Sequence, residues 1–209
     1  MKKKYKRPLL LLVILIILIM LLMIFKLVFH AEKNNEQVKV VDSIDNFGYT
    51  LDKRDSKLMK EKYQELKKIV SSKTIDYEKY ASVLSELFVI DLFSMQTKIN
   101  KYDVGSLEYV YPDNIDNFAL DVQNTIYKTM VDNSDGKRTQ SLPMVSKTSV
   151  TDITKDSFEI GEEKVDAYKV SLSWEYEKNL GYDDKATITL VAKNNKLYVV
   201  EYSKDDSNE

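Results

Sequence analysis

The stretch Tyr168-Lys169-Val170-Ser171-Leu172-Ser173-Trp174-Glu175-Tyr176 puts an apolar or aromatic side chain at every even position and a polar one at every odd position. Successive side chains of an extended chain point to opposite faces, so a period of two predicts a strand with one dry and one wet face. Strands of that kind belong to antiparallel sheets, which can leave one face in water. Downstream, a turn around Gly181 leads to a second strand with Ala186, Ile188, Leu190 and Ala192 facing inward. Asn194-Asn195 supplies the next tight turn, because Asn tolerates the positive φ angles of a two-residue hairpin, and Leu197 to Tyr202 forms the third strand. Upstream, Val145 to Thr154 and Ser157 to Ile160 read as a further hairpin.

Before residue 145 the period changes to that of helices. Leu58, Met59, Tyr63, Leu66, Ile69 and Val70 line one face of a first helix, with Asp52 or Asp55 as its cap and Ser71-Ser72 at its end. Thr74 or Asp76 caps the second, and Glu78 adds a negative charge in its first turn, where the helix dipole favours one. That helix carries Tyr77, Tyr80, Ala81, Leu84, Leu87, Phe88, Ile90, Leu92, Phe93 and Met95, a density that predicts cover on more than one side. A third starts near Pro112-Asp113 with Ile115, Phe118, Ala119, Val122, Ile126 and Met130 on one stripe, and stops before the run Asp132 to Gly136. Val38, Val40 and Val41 read as an edge strand or an extended lead-in, followed by a turn around Gly48. The expected class is therefore α+β, three helices followed by an antiparallel sheet of about four to five strands.

The N-terminus has a different character. Lys2, Lys3, Lys4, Lys6 and Arg7 precede an uncharged apolar block from Leu9 to Phe25, which Leu27, Val28 and Phe29 extend past Lys26. As a helix at 1.5 Å per residue, 9–29 is long enough for a hydrocarbon core of about 30 Å. Lys26 lies near its outer end, where a long side chain reaches the headgroups. A cleaved signal peptide has a shorter apolar region ending in small residues two apart, and here Phe29 stands two before Ala31. The expected organisation is a cytoplasmic tip (1–8), a membrane helix (9–29), a spacer and lead-in (30–51), an extracytoplasmic domain (52–203) and an acidic tail (204–209). Basic residues stay on the cytoplasmic side, which places the domain outside the cytoplasm, with the bilayer as partner through Leu9 to Phe29.

Composition removes several chemistries. Six of the 31 basic residues lie at or before Lys26, so residues 27–209 carry 25 against 33 acidic ones, a formal −8 that disfavours nucleic acid. With no Cys and His30 as the single histidine, disulfides, thiolate metal sites, multi-His zinc sites and a Cys nucleophile are excluded within this chain. Ser134 and Lys137 match the Ser-x-x-Lys pattern of acyl-serine enzymes, but no Lys-Thr-Gly partner exists and the segment reads as a loop. Aligning Gly136 with the sixth position of a calcium-hand loop puts Val131 and Leu142 where carboxylates are required. Asp183-Asp184 and Asp205-Asp206 read as solvated turn and tail pairs. No enzyme and no cofactor is expected.

Three helices followed by an antiparallel meander, over about Asp52 to Tyr202, resemble the cone-shaped α+β fold of the nuclear-transport-factor-like superfamily, which implies three helices packed on one face of a curved antiparallel sheet. Within it the layout behind an N-terminal anchor resembles the single-pass scaffold subunits of type IV secretion and conjugation machines. Leu87-Phe88-Val89-Ile90-Asp91-Leu92-Phe93 with Asp103-Val104-Gly105 is also similar to membrane proteins of low-GC bacteria, a likeness that brings no activity. The resemblance implies a membrane-anchored, non-enzymatic assembly or interaction module with protein partners, a second copy among them. The alternative is a small-molecule sensor or binding domain with a pocket between the second helix and the sheet, since superfamily cones often hold a pocket between helices and sheet. Tyr80, Leu84, Phe88, Phe118, Trp174, Tyr176 and Tyr198 are the candidate pocket or interface residues, and Tyr109, Tyr111 and Tyr202 are aromatics expected near them.

Overall fold

The computed structural model describes residues 16–20, 23 and 39–204. The chain divides into two compact units, Met1–Val38 and Lys39–Glu209. In the first, residues 16–20 and 23 are helical and exposed. The rest of the span expected over 9–29, the basic tip, the first part of the spacer and residues 205–209 of the tail lie outside the described residues. Among the described residues no helix is long and apolar enough to cross a membrane.

The second unit is α+β. A hairpin of β1 (Val40–Ile44) and β2 (Tyr49–Asp52) turns at Gly48, whose φ of 64° suits a residue without Cβ. Helices α1 (Lys57–Val70) and α2 (Tyr77–Phe93) follow, then three short 3-10 turns and α3 (Ile115–Asn124). Strands β3 (Val145–Ile160), β4 (Glu163–Tyr176), β5 (Lys185–Lys193) and β6 (Lys196–Lys204) form one antiparallel meander in chain order. The main sheet thus has four strands, and β1–β2 is a separate pair. Because Ile44, Tyr49 and Leu51 are core residues, the second half of the 30–51 segment is part of the domain.

Several boundaries differ from the sequence pattern, each for a local reason. The cap of α1 is Ser56, whose hydroxyl accepts the Met59 N–H at 3.0 Å. Asp52 and Asp55 are engaged elsewhere, on Arg54 and on the Asp52 N–H. Asp76 caps α2 as expected, accepting from Lys79 N–H. Helix α3 ends early at Thr125, where the backbone leaves the helical region (φ −119°, ψ −88°) and the Tyr127 N–H reaches five residues back to the Val122 carbonyl, which leaves Ile126 and Met130 beyond it. The hairpin expected within 145–160 is instead one strand, which turns at Gly161 and pairs with β4 down to Val145↔Tyr176. Ala192, expected inside, is exposed.

Alternation in β4 orients the sheet. Val170, Leu172 and Trp174 are buried under α2, and Tyr168 and Tyr176 are half-buried at either end of that row. In β6 a register shift against Thr189/Leu190 swaps parity, so Leu197 and Val199 face the helices, then Tyr202. Helix α2 is buried nearly all round, even at Ser85 and Glu86. Glu86 is met by the Lys62 ammonium and the Thr148 hydroxyl, each at 2.7 Å. Away from the main core, Tyr111, Ala167 and Val191 form a smaller cluster with Phe158, Ile160, Val165, Tyr198 and Val200 half-buried against it.

Candidate functional site

Of the seven candidate residues, Tyr80, Leu84, Phe88 and Trp174 are buried in the main core, with Phe118 and Tyr176 half-buried against it. The space between α2 and the sheet is occupied by rings. Trp174 stacks on Phe93 with centroids 5.1 Å apart, Phe88 meets Phe118 at 5.7 Å, and Tyr202 packs on Phe88 and Phe93. The Trp174 indole N–H donates to the Tyr176 hydroxyl at 2.8 Å, which itself donates to the Asp183 carbonyl. Both polar tips are therefore satisfied inside the fold, as buried Trp and Tyr require. Tyr198 does not join this group. It lies on the other face of the sheet, edge-on to Tyr111 at 5.9 Å, because Leu197 and Val199 on either side of it in β6 face the helices and alternation turns the residue between them away.

Tyr80 serves another purpose. Its hydroxyl is 2.6 Å from that of Tyr49, which also donates to the Leu197 carbonyl, while the Leu197 N–H donates back to Tyr80. The latch ties the first hairpin, α2 and β6 together. Burial disfavours both phenolates, pushing Tyr80 up to about 12 and Tyr49 well above its ordinary range.

The most concentrated polar chemistry lies at the C-terminal end of α2. Asp91 takes the Lys98 ammonium on one carboxylate oxygen and the Ser106 N–H on the other. Ser106 sits at φ 67°, and its hydroxyl donates to the Phe88 carbonyl at 2.7 Å. Before it, Gly105 is packed so closely that a Cβ there would stand 2.4 Å from the Asp91 carbonyl oxygen. Asp103 accepts the Arg54 guanidinium at 2.7 Å and the Ile99 N–H at 2.8 Å, and Arg54 is also held by Asp52. The Arg138 guanidinium donates to the carbonyls of Gln96, Lys98 and Ile99, which stitches the 96–106 loop to the 131–138 loop.

The ionisation of this cluster follows from burial and partners. Burial works against the Lys98 charge, but Asp91 outweighs it and holds the ammonium above its usual range. For Asp103, burial is likewise outweighed, by Arg54 and the Ile99 N–H, so its carboxyl is held below the usual value. Among the described residues no cation is in contact with Asp55, and burial pushes it up to about 6. The Asp91, Asp103 and Lys98 side chains are each occupied by a partner of opposite charge, an arrangement that fixes backbone geometry.

The other motifs are placed plainly. Ser134 is an exposed turn residue and Lys137 lies 3.9 Å from Asp135. Asp183 pairs with Lys204 at 2.7 Å, and Asp205-Asp206 and His30 lie outside the described residues. An open groove of about 720 Å³ runs past Trp174, Tyr176, Tyr182, Asp183 and Asp184 at the β4–β5 connection. Shallower grooves of about 510 and 400 Å³ lie beside Phe47 and beside Leu58. Comparison with protein-family models, with curated proteins and with solved structures gives no match.

Proposed function

We propose that this chain is a membrane-anchored, extracytoplasmic, non-enzymatic interaction module that holds a protein partner, or a second copy, at the cell envelope, as a subunit of a secretion or conjugation type of complex would. The observation that carries the reading is the apolar block from Leu9 to Phe25 behind five basic residues. Residues 16–20 and 23 of that block are helical and solvent-facing, a surface that water does not stabilise and lipid does. Ring-on-ring packing between α2 and the sheet weighs against the competing reading, a small-molecule sensor with its pocket there.

The absence of Cys makes a topology test direct. Single variants Lys4→Cys and Glu162→Cys are treated in intact cells with a membrane-impermeant maleimide. Labelling at 162 but at 4 only after lysis is expected, with the protein remaining in the membrane pellet through alkaline extraction. The reverse labelling, or release into the alkaline supernatant, contradicts the proposal.

A further inference from the structure

We propose that the end of the domain at which the chain enters, around Lys39, rests on the bilayer surface; this inference depends on the anchored reading above. Exposed large apolar side chains in residues 39–204 are few, and they are unevenly placed. Val40, Val41, Tyr102, Val131 and Leu180, 39–68% exposed, lie at one end, and the sixth, Leu120, is on α3.

That co-location follows from the pairing. Val40 opposes Asp52, and the Lys53 N–H donates to the Lys39 carbonyl, so the start of β1 sits beside the start of α1. Arg54 joins this corner to Asp103, next to Tyr102. Arg138 and the Asn133 N–H join Ile99 to the loop that bears Val131. The Val145 N–H points to the Ser94 hydroxyl just past α2, and the Glu177 N–H donates to the Met144 carbonyl, so the β4–β5 connection with Leu180 lies at the same end. At the opposite end are the turns at Gly48, Gly161 and Asn194-Asn195.

The occupant is a lipid surface, for two reasons. Residues 30–38 link the apolar block to Lys39 and reach at most about 30 Å even when fully extended. Strand β3 alone, 16 residues, spans about 50 Å, so such a leash limits how far the Lys39 end can stand from the membrane, while the Gly161 turn is free to stand farther off. The chemistry also fits the headgroup zone, where tyrosine and aliphatic tips enter the acyl boundary and lysines reach phosphates. Lys39, Lys53 and Lys178 are exposed at this end, and the Lys101 ammonium lies 5.0 Å from the centre of the Tyr102 ring.

The test uses the full chain in vesicles of neutral and anionic phosphatidyl lipids that carry a spin label on the headgroup. A bimane fluorophore is placed on Tyr102→Cys, Leu180→Cys or, as the distal control, Glu162→Cys. Quenching several-fold stronger at 102 and 180 than at 162, rising with anionic lipid, is expected. If the protein floats with the vesicles and all three positions are quenched equally weakly by lipid and equally well by aqueous iodide, the inference is overturned while the anchor stands. A protein that fails to float with the vesicles overturns both.

Discussion

Helix α2 is held at two places by opposite means. Its middle is gripped by apolar surface, Leu84, Phe88 and Phe93 against α1, the sheet and Phe118, while its last turn is gripped by charge, Asp91 between Lys98 and the Ser106 N–H. Apolar packing tolerates exchange of one well-fitting shape for another, whereas a buried ion pair is intolerant of losing one member. The first grip supplies stability. The second fixes where the 96–106 loop lies, at the cost of desolvating two charges.

Breaking the charged grip has the largest expected effect. Asp91→Ala leaves the Lys98 ammonium buried without its partner and should destabilise the domain by about 3–5 kcal/mol in denaturant titrations. A double variant, Asp91→Leu with Lys98→Met, should recover part of that loss and no more, because the Ser106 N–H still lacks an acceptor. A loss under about 1 kcal/mol for Asp91→Ala would show that the network is solvated and the contrast false.

Gly105 sharpens the comparison sterically. An added methyl would meet the Asp91 backbone rather than a flexible tip, so Gly105→Ala should cost about 1–3 kcal/mol with both charges intact. An alanine variant with unchanged melting temperature would mean that the loop is not pinned there.

Asp55 tests the electrostatics. Its carboxyl is raised from 3.8 to about 6, so between those values the native state holds a proton that the unfolded chain releases, and stability should fall as pH rises through that window. Asp103 acts in the opposite sense, since a lowered value adds stability at neutral pH that disappears as the medium turns acid. Asp55→Asn keeps an acceptor for the Asp52 N–H and should gain about 1 kcal/mol at pH 7.5, allowing for its partial exposure, while flattening the profile from pH 4 to 6. An unchanged profile would place Asp55 in solvent.

The smallest effect separates two buried tyrosines beside this cluster. Among the described residues the Tyr109 hydroxyl makes no hydrogen bond of good geometry, although the Glu108 carboxylate acts on it, so Tyr109→Phe should change stability by less than about 0.5 kcal/mol or raise it slightly. The Tyr127 hydroxyl donates to the Leu92 carbonyl at 2.7 Å, and Tyr127→Phe should cost about 1 kcal/mol. Equal losses in the two variants would show that Tyr109 has an acceptor too.

The apolar grip was legible in the sequence and the charged one was not. Period two from Tyr168 to Tyr176 orients β4 because alternation is set by the backbone itself, and the helical stripes of α1 and α2 follow from their own spacing. Irregularity escaped that logic. The register shift in β6 moved Tyr198 to the far face, so a candidate that looked equivalent to Trp174 lies on the other side of the sheet. Asp91 was visible as a lone charge in the apolar run Leu87 to Phe93, which already demands a buried partner. Its partners sit in a loop whose path the sequence does not state, and only the fold brings Lys98, Asp103, Gly105 and Ser106 to it. A charge embedded in an apolar run of a helix is the sequence signal of such a grip.

The central claim is that the space between α2 and the sheet is packed core, and Trp174 reports on it directly as the one tryptophan in the chain. Its emission should be resistant to iodide in the native protein and become accessible only across the unfolding transition, while Trp174→Ala should cost about 3–5 kcal/mol. Ready access of iodide to the folded protein, together with an alanine variant of unchanged melting temperature, would contradict it and return the ligand pocket to that space.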